Sequence, residues 1–172
     1  MPKIATEWQH FEALGTSGLY ELLRFRQTIF VVEQRCPYPD LDELDESAWH
    51  LLARAEGTLA GCIRLIPRPL RIGRVAVAAP LRRRGLGRNL MEEALSRCRE
   101  HYPGMTVALT AQSYLVSFYR SFGFEPIGEP FEDFGVTHVD MELRSREQAE
   151  AAAPLNPSIR LCADRRPCGE PR

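Results

Sequence analysis

The chain has 172 residues, enough for one ordinary domain with a real core and too few for two. Apolar residues at 44% and charged residues at 26% fit a globular protein in water, and exclude a chain that is disordered throughout or embedded in a bilayer. A formal charge of −1 supplies no global field for polyanions, so nucleic acid and membrane surfaces are not expected partners and any recognition by charge must be local.

The first residues carry an early acid, Glu7, and no apolar stretch behind a basic end, so no secretory signal is expected. No later segment approaches membrane-spanning length. Leu19, Leu22, Leu23, Ile29 and Phe30 recur at helical spacing and predict a helix over 17–30, capped by Thr16 or Ser17, with Arg26 interrupting the apolar stripe. Cys36-Pro37-Tyr38-Pro39 and the acids Asp40, Asp42, Glu43, Asp45 and Glu46 then predict a loop. Residues 49–55 and 59–66 flank Glu56-Gly57-Thr58 and predict a hairpin.

A short β-rich run at 72–77 leads into a glycine loop. A helix follows, with Leu90, Met91, Ala94, Leu95 and Cys98 on one face, until Tyr102-Pro103-Gly104 stops it. Residues 106–110 predict a buried strand, 115–122 a short helix stopped by Gly123, and 124–127 and 137–143 two more strands. The result is one α/β domain over 1–144, with a central mixed sheet and helices on both faces. Residues 145–172 lack a repeated apolar face and predict a fraying helical tail. The five cysteines, Cys36, Cys62, Cys98, Cys162 and Cys168, are odd in number and lack paired metal spacing, so free thiols, no metal and a reduced cytoplasmic setting are expected.

The glycine loop carries the sharpest chemical signal. Gly85 and Gly87 stand between a strand and a helix, where several unpaired backbone amides converge, and Arg82, Arg83, Arg84 and Arg88 add positive side chains. The loop lacks the Gly-Lys-Ser/Thr ending of a P-loop and the third glycine of the dinucleotide fingerprint. By itself this pattern fits either an anion cradle or a solvated turn.

Its context resembles the GNAT superfamily of acetyltransferases. Arg82, Gly85 and Gly87 match that family's Gln/Arg-x-x-Gly-x-Gly/Ala loop, and Phe118-Tyr119-Arg120-Ser121-Phe122-Gly123-Phe124 is similar to its Phe-Tyr-x-x-x-Gly-Phe segment. Within the superfamily the chain is most similar to the ElaA-type branch, through Val31-Val32-Glu33-Gln34, Cys36-Pro37-Tyr38, His50-Leu51, Ile72-Gly73-Arg74-Val75, Ala111-Gln112 and His138. The resemblance covers about residues 4–143. It implies a central mixed, largely antiparallel sheet and acetyl-CoA as co-substrate, with its pyrophosphate on Arg82, Arg83, Arg84, Gly85, Leu86, Gly87 and Arg88. The pantetheine amides would then pair with the backbone of Val75, Ala76 and Val77, with Gln112 and Phe118 alongside.

Transfer to an amine needs a deprotonated nucleophile, a polarised carbonyl and a stabilised leaving thiolate. The resemblance puts the Tyr119 hydroxyl near the thioester sulfur, and a backbone amide at the end of the 72–77 strand is expected to polarise the carbonyl. Glu33, His50 and His138 are candidate bases, with Glu93 the least favoured because its register places it on the solvated side of its helix. Glu33, Tyr38 and Gln112 are expected in the pocket wall. The acidic loop, through Asp42 and Asp45, is expected to gather a cationic primary amine, against the plainer reading of a solvated loop. A non-catalytic acetyl-CoA sensor or protein-interaction module is the rival reading. A homodimer is allowed by the resemblance, although no residue marks an interface.

Overall fold

The structure, a computed structural model, describes residues 2–145 and residue 148. Seven strands form one sheet in the order β1-β2-β3-β4-β5-β7-β6. They are β1 (Ile4–His10), β2 (Trp49–Ala55), β3 (Thr58–Pro67), β4 (Leu70–Val77), β5 (Val107–Gln112), β6 (Glu125–Asp133) and β7 (Val136–Leu143). Only β4 and β5 are parallel neighbours; every other pairing is antiparallel. The expected mixed, largely antiparallel sheet is therefore present.

Two faces are buried because β2 and β3 alternate their side chains. Leu51, Ala53, Ile63 and Leu65 pack with Leu90, Met91 and Ala94 of helix α2 (Leu86–His101). Leu52, Leu59 and Cys62 point the other way, onto Leu22 and Ile29 of the first helical unit. Each fully buried leucine or isoleucine contributes about 1.5–3 kcal/mol relative to exposure. Gly61 of β3 lets α2 approach this closely: a Cβ there would stand 2.9 Å from Leu90 Cδ1 and 3.1 Å from the Ala76 carbonyl. Arg97 of α2 adds a cation–π clamp, its guanidinium 4.8 Å from the Trp8 ring and 4.2 Å from the Trp49 ring.

Several local expectations are corrected. The first helix, α1, runs Gly15–Arg26 and continues as a π-helical stretch, Gln27–Glu33, in which Gln34 N–H reaches the Ile29 carbonyl at 3.2 Å. Neither Thr16 nor Ser17 caps it. Between the 3₁₀ turn Phe11–Leu14 and the body of the helix the chain passes through Gly15 at φ +61° and ψ 174°, a conformation open to glycine, and no side chain caps the helix there. Strand β1 went unforeseen, and β6 extends well past residue 127. Pro126, Gly128 and Pro130 disguise β6, yet a strand at the sheet edge tolerates all three. The short helix α3 is Val116–Arg120, entered through a 3₁₀ turn at Ser113–Leu115. The expected helical tail, with Cys162 and Cys168, lies outside the described residues; Cys36, Cys62 and Cys98 are free thiols and buried.

Candidate functional site

Strands β4 and β5 share a single register pair, Arg71 with Ala108, and then part. On its other side β4 is bulged: Ala76 pairs with Cys62 and Gly73 with Arg64, so Arg74 and Val75 together oppose Ile63. Arg74 takes up the bulge at φ +50°. The backbone of Val75–Val77 thus lies along a notch in the sheet with no strand bonded to its β5 side. The notch opens into a cleft of about 670 Å³.

One end of the cleft meets the start of α2. Gly85 adopts φ +88°, a left-handed conformation that admits glycine readily, and no side chain caps the helix behind it. The first amide bonded within this turn is Asn89, to the Gly85 carbonyl at 3.0 Å, so the N–H groups of Leu86, Gly87 and Arg88 have no helical partner. Their dipole favours an anion by roughly 0.3–1 kcal/mol. The Leu86 side chain is buried in the core, so this residue offers only its backbone. Arg83 and Arg84 are exposed and, among the described residues, unpaired. Arg88 donates to Ser121 Oγ at 3.0 Å and lies 4.9 Å from the Phe122 ring centre.

Arg82 is engaged differently. Its Nε–H donates to the Val77 carbonyl at 2.8 Å, while Nη1 and Nη2 grip both carboxylate oxygens of Glu33, the Nη2 bond measuring 2.9 Å. That hydrogen bond holds Glu33 below the usual carboxylate pKa. Glu33 lines the cleft as a committed anion and is thereby a poor base.

At the middle of the cleft Tyr119 is 6% exposed, held edge-on by Phe118 at 5.1 Å and Phe124 at 6.2 Å. Its hydroxyl finds no hydrogen-bond partner among the described residues and is not sealed from solvent. Burial pushes its pKa up to about 12. Gln112 ends β5, donates to Gln34 Oε1 at 3.1 Å, accepts from the Tyr114 hydroxyl, and pairs in register with His138 of β7. His138 Nδ1 lies 2.8 Å from the Val136 carbonyl. A carbonyl only accepts, so Nδ1 carries a proton, and in the neutral ring the lone pair is on Nε2.

Two expectations fare differently. His50 is buried within β2, its Nε2 3.3 Å from the Asp45 carbonyl, and burial lowers its pKa; it does not reach the cleft. The acidic loop is also not a solvated patch. Arg26 bonds Asp40 at 2.9 Å and Asp45 at 2.6 Å, Arg64 grips Asp42 through two bonds of 2.6 and 2.7 Å, and Arg74 reaches Asp40 and Asp42. Three arginines from α1, β3 and β4 thus neutralise three aspartates. Burial alone would raise the Asp42 pKa, but the Arg64 hydrogen bonds, with Arg74 behind them, bring it down to about 2. Asp45 is lowered too, its burial outweighed by the bond from Arg26. Removing one partner from such a buried pair costs about 3–5 kcal/mol, so these acids hold the loop in place. Tyr38 projects from that loop into the cleft, its hydroxyl donating to Asp40 Oδ1 at 2.8 Å.

The far wall is the β6–β7 hairpin tip, which sequence reasoning missed. Phe131 stacks on His138 at 6.0 Å, and Phe134 lies 6.0 Å from Tyr38. The only hint was an aromatic pair bracketing Glu132-Asp133 just before a glycine turn. Among the described residues no group of three His, Cys, Asp or Glu side chains is arranged to hold a metal ion, and no helix is long and apolar enough to cross a membrane.

Residues 27–145 match the acetyltransferase (GNAT) domain family. Protein ElaA of Escherichia coli K12 is 40% identical over 144 residues, covering 78% of this chain and 94% of that one. The crystal structure of E. coli ElaA superimposes with a TM-score of 0.77 at 38% identity, over 81% of this chain and 99% of the other. An acyl-CoA N-acyltransferase from Pseudomonas aeruginosa gives a TM-score of 0.78 at 34% identity, over 83% and 100%.

Proposed function

The chain belongs to the GNAT acetyltransferase family, and on that premise we propose that it moves an acetyl group from acetyl-CoA to a primary amine by direct attack in a ternary complex. One observation supports this reading: the unpaired edge of Val75–Val77, Gly87 with its free amide at the start of α2, and Tyr119 with its unbonded hydroxyl all line one cleft. The edge offers the pantetheine amides a strand to pair with. The α2 amides, with Arg83, Arg84 and Arg88, suit the pyrophosphate. Arg82 contributes by tying Glu33 to the loop and holding the Val77 carbonyl.

The neutral amine attacks the thioester carbonyl, whose developing negative charge falls to a β4 amide. His138 Nε2 is the group suited to take the amine's proton, directly or through water. As the C–S bond breaks, Tyr119 donates a hydrogen bond to the departing sulfur. The test is incubation with acetyl-CoA and a panel of amines, following free thiol. Amine-dependent thiol release is expected; release no faster than without amine would leave a binding module and overturn the proposal.

A further inference from the structure

Four charged side chains line the cleft: Glu33, Arg74, Arg82 and Asp133. Glu33 and Arg82 neutralise each other, and Arg74 is paired with Asp40 and Asp42. Asp133 alone has no opposite charge among the described residues. It sits at the end of β6 between Phe131 and Phe134, which are 40% and 53% exposed, a large apolar area to leave facing water.

The backbone is bent to make this wall. Between Ile127–Asp140 and Phe131–His138 the ladder slips, leaving Gly128, Glu129 and Pro130 opposite Val139 alone. Phe134 and Gly135 turn the hairpin at φ +47° and +78°, the left-handed pair that a two-residue hairpin loop requires, and the Phe134 carbonyl accepts from Cys36 Sγ at 3.6 Å. Bulges are frequent where a side chain must be re-aimed. Here the bulge precedes Phe131, Asp133 and Phe134, which line the cleft that holds Tyr119. Aromatic faces around a carboxylate suit an organic cation whose alkyl stem lies along the rings.

Resting on the transfer reading above, we propose that the acceptor is a dicationic amine: one nitrogen is acetylated near Tyr119 while the second, still charged, is held by Asp133 between Phe131 and Phe134. The attacking nitrogen sheds one proton to solvent to become the neutral nucleophile and a second as the amide bond forms; the C–S bond breaks and the thiol takes up one proton, so the second ammonium takes no part in the bond changes.

Thiol release is compared for 1,5-diaminopentane and n-pentylamine, equal in length and different in charge. A kcat/KM ratio of about tenfold or more in favour of the diamine is expected. Asp133→Asn should bring that ratio near one, and Asp133→Glu should retain part of it. Equal use of the two amines by the unmodified protein, an unchanged ratio in Asp133→Asn, or rejection of both while other amines react would overturn the proposal. If no amine releases thiol, the transfer reading fails separately. Calorimetric titration of the diamine into CoA-loaded protein then decides the cation site: binding lost in Asp133→Asn upholds it, and no binding overturns it.

Discussion

Tyr119 is better suited to hydrogen bonding than to giving up its proton. Burial raises its pKa to about 12, against about 8.5 for a thiol, so full transfer to the leaving sulfur is uphill by about 5 kcal/mol. A donated hydrogen bond to the developing thiolate has no such obstacle. Because the raised pKa keeps the phenol protonated through ordinary alkaline pH, Tyr119 should impose no fall in activity between about pH 8 and 10. Tyr119→Phe should lower kcat by about ten- to a hundredfold with the KM for acetyl-CoA little changed, measured by steady-state thiol release. Unchanged turnover at saturating acetyl-CoA would remove the role.

At the scale of elements, Gly61→Ala tests how α2 is seated. The added methyl meets Leu90 and the Ala76 carbonyl, and the carbonyl belongs to a strand paired on that side, so strand or helix must shift. A loss of about 1–3 kcal/mol is expected, read as a lower midpoint in denaturant unfolding. Most elements were legible because their apolar period is clean: the hairpin at 49–66, the face of α2 and the glycine that stops α3. Strand β1 was not, since an edge strand buries little and its residues alternate weakly. One residue of the first helix was misread for another reason. Arg26 looked like a break in an apolar stripe, yet it is among the most buried side chains, neutralised by two aspartates that sequence distance hides.

For the whole molecule, the Arg26–Arg64–Arg74 cluster links α1, β3 and β4 to the loop that carries Tyr38. Asp42 and Asp45 have depressed folded pKa values, so their contribution is fully present above the unfolded value of about 3.9 and is lost as pH falls toward about 2. Thermal melts should show Tm falling through that window. Asp42→Asn should melt lower at neutral pH and show a shallower acid decline. The geometry at the start of α2 was readable from sequence, because backbone amides and a glycine conformation follow from local order. The far wall of the cleft was not: it depends on which acids find partners, and Asp42 and Asp45 pair with arginines while Asp133, on a strand no pattern announced, has no opposite charge among the described residues.

The single register pair between β4 and β5 divides the sheet into wings of four and three strands. Mechanically, the ladder between the wings is almost unriveted, and their alignment falls to the helices packed across the faces. A molecule lying in the notch and bonded to both flanks would act as a strut as well as a reactant. Its departure as product would loosen the frame that held it, coupling the rigidity of the sheet to each turnover.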